Sequence, residues 1–314
     1  MVDITAIALQ IAVVLIGAPV LVGFMRQVTA RLQGRAGAGV LQPWRDLRKQ
    51  MGKESIAPDG SSAVFSIAPL VAFSAVFVIA AVSPFLTTRS RTDGVADLFA
   101  IVGLLLLGTV ALALGALDTG TAFGGMGASR EVMVAALAEP AILVAGFALS
   151  TRVNSSNLAD MVEGVALAPA DAATPANLFA AVAIGIVVLA ESGRLPVDNP
   201  SSHLELTMLH EAMVLEYSGP RLAVVEYASA LRLTTLIGLW VSLFIPWGIA
   251  TTSTPGALLV AVAAFVVKVA LLGGTIAVVE VFLAKWRLFR VPELLAVSFL
   301  FGALAVSTAF FLAR

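Results

Sequence analysis

Apolar runs about as long as a bilayer is thick recur along the sequence, near 4–25, 64–86, 97–117, 131–150, 175–192, 222–246, 256–283 and 292–313. Roughly twenty helical residues cross the hydrocarbon core, and within it every backbone N–H and C=O must be satisfied inside the segment. The pattern predicts an all-α integral membrane protein of about eight transmembrane helices, forming one polytopic domain over 1–314. A soluble globular enzyme is excluded: 59% of the 314 residues are hydrophobic, 12% are charged, and mean hydropathy is +0.99. No water-soluble domain of this length has enough interior for that apolar surface. The first run follows Asp3, with no basic stretch before it and no small-residue cleavage site after it, so it reads as a retained helix and not a signal peptide.

The formal net charge of −1 conceals where the charges sit. With eight spans, one face collects Arg26, Arg31, Arg35, Arg45, Arg48, Lys49, Lys53, Arg130, Arg194, Arg221, Lys285, Arg287 and Arg290, which is 13 of the 19 Lys and Arg residues. The other has Arg89, Arg91, Arg152 and Arg314, while Arg232 and Lys268 fall inside spans. Basic loops stay on the cytoplasmic side. The expectation is a multi-pass protein of the inner (cytoplasmic) membrane with both termini non-cytoplasmic. Neither the total charge nor its placement suggests nucleic acid. Cysteine is absent, which removes disulfides, thiolate metal sites and iron–sulfur ligation, so any redox centre belongs to a partner.

The 26–62 loop mixes its basic residues with Leu32, Val40, Leu41, Trp44, Leu47 and Met51, as a cytoplasmic amphipathic segment at the interface does. Gly34, Gly37 and Gly39 there mark a turn; no strand precedes them and no Gly-Lys-Ser/Thr follows, so they make no phosphate loop. The 151–174 loop is polar and Ala-rich, and no function is assigned to it.

Ionisable residues lie within or at the ends of spans: Asp118, Glu131, Glu139, Glu191, Glu205, Glu211, Glu216, Glu226, Arg232, Lys268 and Glu280. Each costs on the order of 2.5–3.5 kcal/mol at a helix centre, so such groups face protein or a wet cavity. Taken singly, each fits a buried interhelical pair, for instance Glu226 with Arg232, or Glu191 with nearby Arg194. As a set they point to a hydrated path for protons or ions. The densest stretch runs from Ala190-Glu191-Ser192-Gly193-Arg194 through Pro196, Asp198 and Pro200 to His203, Glu205, His210, Glu211 and Glu216. Its prolines and glycine break the helix, and irregular polar backbone at this depth lines a cavity or a docking face. His203 and His210, seven apart, share a helix face, but Val214 stands where a zincin-type motif needs its second histidine.

On these residues the chain resembles subunit 1 of respiratory complex I and, more closely, its relatives in formate hydrogenlyase and the group 4 membrane-bound nickel–iron hydrogenases, of hydrogenase-4 type. Leu41-Gln42-Pro43-Trp44-Arg45-Asp46, Lys49 and Lys53-Glu54 are similar to the shared LQPxxDxxKxxxKE loop, although Ala38 replaces the usual proline. Arg130 and Glu139 match the fourth helix; Ala190-Glu191, Arg194, Pro196 and Asp198 match AExxRxPxD, continued by Glu205-Leu206 and Glu226-Tyr227-Ala228. The stretches 124–131, 203–217 and 284–293 favour the hydrogenase branch, since the quinone-reducing version has a shorter, differently spaced stretch between its Glu-Leu and Glu-Tyr pairs.

The resemblance implies a non-catalytic subunit that holds no cofactor of its own. It would lie beneath cytoplasmic large and small hydrogenase-like subunits carrying a nickel–iron centre and iron–sulfur clusters, beside antiporter-like membrane subunits. It implies a proton relay through Glu139, Glu191, Glu205, Glu216 and Glu226, tuned by Arg130, Arg194, Arg232 and Lys268. Docking would fall to Arg45, Asp46, Lys49, Asp198, His203, His210 and Glu211, on loops 26–62 and 193–221. Two other readings stand beside it: a quinone-chamber subunit of a complex I-like oxidoreductase, and a stand-alone secondary ion transporter. The last predicts internal repeats, and no convincing one is found.

Overall fold

The computed structural model describes residues 2–88, 93–168, 173–194, 210–252, 254–283 and 290–312. These form α1 (Val2–Leu32), α2 (Gln42–Met51), α3 (Ala63–Val82), α4 (Leu98–Asp118), α5 (Ala122–Val153), α6 (Leu158–Leu167), α7 (Pro175–Glu191), α8 (His210–Val214), α9 (Gly219–Phe244), α10 (Pro255–Phe282) and α11 (Val291–Leu312). Among the described residues no strand occurs, only isolated bridges at Thr87–Ala250 and Asp97–Asn157. Seven helices are long and apolar enough to cross a membrane, and α7 is a shorter apolar one. Together they coincide with the eight runs read from the sequence.

Two expectations are corrected. The fourth span begins at Ala122, not near 131, so Arg130 lies within α5 and not in a loop. Thr121 caps this start by accepting from Gly124 N–H at 3.2 Å. Gly127 allows close packing there, because a Cβ on it would come within 3.0 Å of Ala212 and Met213 of α8. The 151–174 loop contains α6, which buries Leu158, Met161, Val162 and Val165. Asn154, in the left-handed region at φ 51°, ends α5, and Leu158 N–H donates to Ala96 O at 2.8 Å to tie α6 to the start of α4.

Small residues carry the interior packing, as suits helices that lipid does not drive together. Ala138, Ala141 and Ala145 of α5, and Ala180 and Ala183 of α7, are fully buried. A Cβ on Gly302 of α11 would meet Ala145 N at 3.3 Å. Ser298 of α11 donates to Ala183 O at 2.8 Å, which closes the α5–α7–α11 group.

The amphipathic segment after α1 is α2, preceded by a turn in which Gly34, Gly37 and Gly39 adopt φ of 73°, 76° and 95°. Only glycine takes such angles freely. Gln27 of α1 braces the turn, donating to Ala36 O at 2.8 Å and accepting from Gly39 N–H at 3.0 Å. Pro43 and Leu47 are buried beneath α2 while Arg45, Arg48 and Lys49 face outward.

At the opposite end, α3 and α9 stop in irregular backbone, where Ala250 N–H donates to Leu86 O at 2.9 Å. Two polar side chains satisfy carbonyls freed there. Gln10 of α1 donates to Ala80 O at 2.9 Å and Ser83 O at 2.8 Å; Lys268 of α10 donates to Ile245 O at 2.8 Å and Trp247 O at 3.0 Å.

Candidate functional site

A cavity of about 990 Å³ opens at the end of the bundle that carries α2. One part of its wall is apolar, with Pro19, Val22, Ala72, Val76 and Leu112 from α1, α3 and α4. The other part is ionisable, with Glu191, Arg194, Glu226, Arg232 and Glu280 from the α7 end, α9 and α10. Arg26, Arg35, Asp46, Glu131, His210 and Glu211 also line it.

Among the described residues, two buried ion pairs differ from those the sequence suggested. Arg232 of α9 pairs with Glu191 at the end of α7, and Arg194, just past α7, pairs with Glu280 of α10 at 3.5 Å. The expected Glu191–Arg194 pair is not formed. Three residues along α7 and its exit turn carry Arg194 round to α10, while Glu191 stays on the face toward α9. The expected Glu226–Arg232 pair is not formed either. Nearly two helical turns separate them on α9, and Glu226 instead accepts from Gln50 of α2 at 3.0 Å.

The Glu191–Arg232 pair is the most enclosed. Side-chain exposure is 5% for Glu191 and 13% for Arg232. The second amino group of Arg232 donates to Thr109 Oγ1 of α4 at 2.8 Å. Glu139 of α5 interacts electrostatically with both Glu191 and Arg232. Pro140 follows it, and having no N–H leaves the carbonyl of Ala136 without its helical donor. Two carboxylates therefore share the field of one guanidinium, and removing Arg232 would leave both unbalanced in low dielectric.

Burial depresses the Arg194 guanidinium below its usual value; Glu280 opposes the effect and Arg26 adds to it. Tyr217, between α8 and α9, lines the cavity with its ring stacked on Phe65 at 4.2 Å between centroids. Burial pushes its hydroxyl up to about 12, with Arg221 opposing and Asp118 adding. Asp118 itself accepts from Ser62 N–H at 2.6 Å and Phe65 N–H at 3.2 Å, capping the start of α3.

Of the residues proposed as a relay, Glu139, Glu191, Arg232, Arg194 and Glu226 thus gather on or beside the cavity. Lys268 does not, since it caps the end of α9. Glu216 lies between α8 and α9 and is not among the residues lining the cavity, and Arg130 lies in the third turn of α5. Glu205, Asp198 and His203 fall outside the described residues. Among the proposed docking residues, Arg45 and Lys49 are exposed on α2, while Asp46, His210 and Glu211 line the cavity. Thr109 and Gln10, the first an uncharged partner of Arg232, were not singled out from sequence. Threonine and glutamine within an apolar run carry no signal until their partners are known.

The chain is 33% identical over 297 residues to formate hydrogenlyase subunit 4 of Escherichia coli (strain K12), covering 95% of each chain. It is 30% identical over 296 residues to hydrogenase-4 component C of the same organism, covering 94% of this chain and 92% of that one. Its fold is similar to a chain of the membrane-bound sulfane sulfur reductase, an archaeal respiratory membrane complex, at a TM-score of 0.82 and 18% identity, over 98% of this chain and 100% of that one. The NADH dehydrogenase family matches residues 4–311, and the chain belongs to it.

Proposed function

We propose that this chain is the membrane-anchor and ion-relay subunit of a formate hydrogenlyase-like or group 4 hydrogenase complex. In that assembly it couples electron transfer in hydrophilic partners to ion movement. The observation that carries the reading is the enclosed Glu191–Arg232 pair on the wall of a polar cavity, with Glu139 in its field. A carboxylate paired with one cation beside a second carboxylate places its charge balance within reach of a charge arriving nearby. End-to-end likeness to two hydrogenase-complex subunits supports the choice of partners. The chain has no cysteine to hold a cluster, so the nickel–iron centre and iron–sulfur clusters belong to those partners, docked on the α2 face on the cytoplasmic side. Antiporter-like subunits lie beside it in the inner membrane.

Purification of the tagged chain in mild detergent tests this directly. The proposal expects hydrogenase-like large and small subunits to co-purify with hydrogen-evolving activity; a chain that purifies alone ends it. The apolar half of the cavity favours a second reading, a quinone-chamber subunit. That reading requires the purified complex to reduce a short-chain quinone, and the first requires that it does not.

A further inference from the structure

We infer that Thr109 of α4 is a positioning residue for the Arg232–Glu191 pair, fixing the guanidinium toward Glu191 and so setting how many ions move per turnover. The inference rests on the relay reading above. Thr109 is 2% exposed and is not among the residues lining the cavity; it sits one residue beyond Gly108, which is. Its hydroxyl donates to Leu105 O at 3.2 Å, one turn back along α4. With the proton committed there, Oγ1 presents only lone pairs to the interior. It therefore accepts from a cation and offers nothing to a carboxylate.

Arg232 uses this selectivity. One amino group donates to Glu191 Oε2 and the other to Thr109 Oγ1 at 2.8 Å, while the buried Nε has no partner. The guanidinium is a rigid planar fork, so anchoring one prong fixes where the other points. Threonine suits the task because its β-branched side chain has few χ1 states in a helix. The alternative for the fork is Glu139, whose charge acts on both members of the pair. Without the Thr109 lone pair, a buried charged donor lacks its acceptor, and Glu139, whose charge acts on Arg232, competes to take it. Thr109 biases Arg232 toward Glu191 over Glu139.

The test uses the purified complex in sealed vesicles. Trapped pyranine reads proton movement, and hydrogen evolution reads turnover in the same preparation. Thr109→Val keeps the shape and removes the acceptor; Thr109→Ser keeps the hydroxyl. The inference expects T109V to assemble and evolve hydrogen at the parent rate while protons moved per hydrogen fall roughly tenfold, with T109S retaining the parent ratio. In an Arg232→Lys background, where one ammonium replaces the fork, adding T109V should change the ratio no further. An unchanged ratio in T109V, a T109S variant as impaired as T109V, or a further drop in the Arg232→Lys background would each overturn it. Failure of T109V to assemble where T109S succeeds would make Thr109 a structural anchor and overturn it too. If Glu191→Gln lowers the ratio and T109V does not, only the role of Thr109 falls; if Glu191→Gln has no effect, the relay reading falls with it.

Discussion

Arg232 and Lys268 are both cations within apolar helices, yet they hold opposite kinds of partner. Arg232 faces a carboxylate and a hydroxyl at the cavity wall; Lys268 faces two backbone carbonyls at the far end of α9. The sequence marked both as costly charges and could not tell them apart, because their partners lie on other helices. The same limit hid the Arg194–Glu280 pair and suggested Glu191–Arg194, since proximity along the chain was the available guide. The geometry makes Lys268 a cap. Replacing it with methionine should strip the donors from Ile245 and Trp247 and destabilise the protein by about 1–3 kcal/mol. The measurement is the thermal unfolding midpoint of the purified complex, with ions moved per turnover unchanged. A normal midpoint with lost ion movement would return Lys268 to the relay.

Among the elements, the eight apolar helices were legible because lipid imposes a length and a composition that few other structures share. The exceptions have local causes. α5 starts early, capped by Thr121, and its first turns pack closely: Gly124 abuts the end of α4 at Ala116 O, and Gly127 makes room for α8. α6 escaped notice because alanine-rich, mixed-polarity sequence gives no strong period, and its anchoring depends on Ala96 and Ser156 backbone contacts with the start of α4. α2 was legible as an amphipathic segment from its alternation of basic and apolar residues. The proposed docking falls on its outward Arg45, Arg48 and Lys49. A photo-crosslinker at Arg45 should capture hydrophilic subunits of the complex, whereas one at Arg152, at the opposite end of α5, should not. Equal capture from both positions would remove docking from α2.

Across the whole molecule, the two ends differ in charge and in architecture. One end has α2, α8, the cavity and most of the basic residues; the other ends in irregular backbone pinned by Gln10 and Lys268. The orientation that follows from the basic bias is testable because the chain contains no native cysteine. With single cysteines at Ser61 and Thr252, an impermeant maleimide applied to intact cells should label only position 252; labelling at 61 alone would invert the topology. The cavity itself was legible in part. Its acids were marked by their presence in apolar runs, but the grouping of Glu139, Glu191 and Arg232 needed three helices brought together.

In the proposed relay, Glu191 carries a proton as well as a structural charge. Glu191→Gln keeps the size and a hydrogen-bonding oxygen for Arg232 but cannot titrate. Ions moved per hydrogen evolved, measured in sealed vesicles holding the purified variant complex, separate the two roles. Normal assembly and hydrogen evolution are expected, with a fall in that ratio of at least about tenfold. Normal assembly with an undiminished ratio would contradict it.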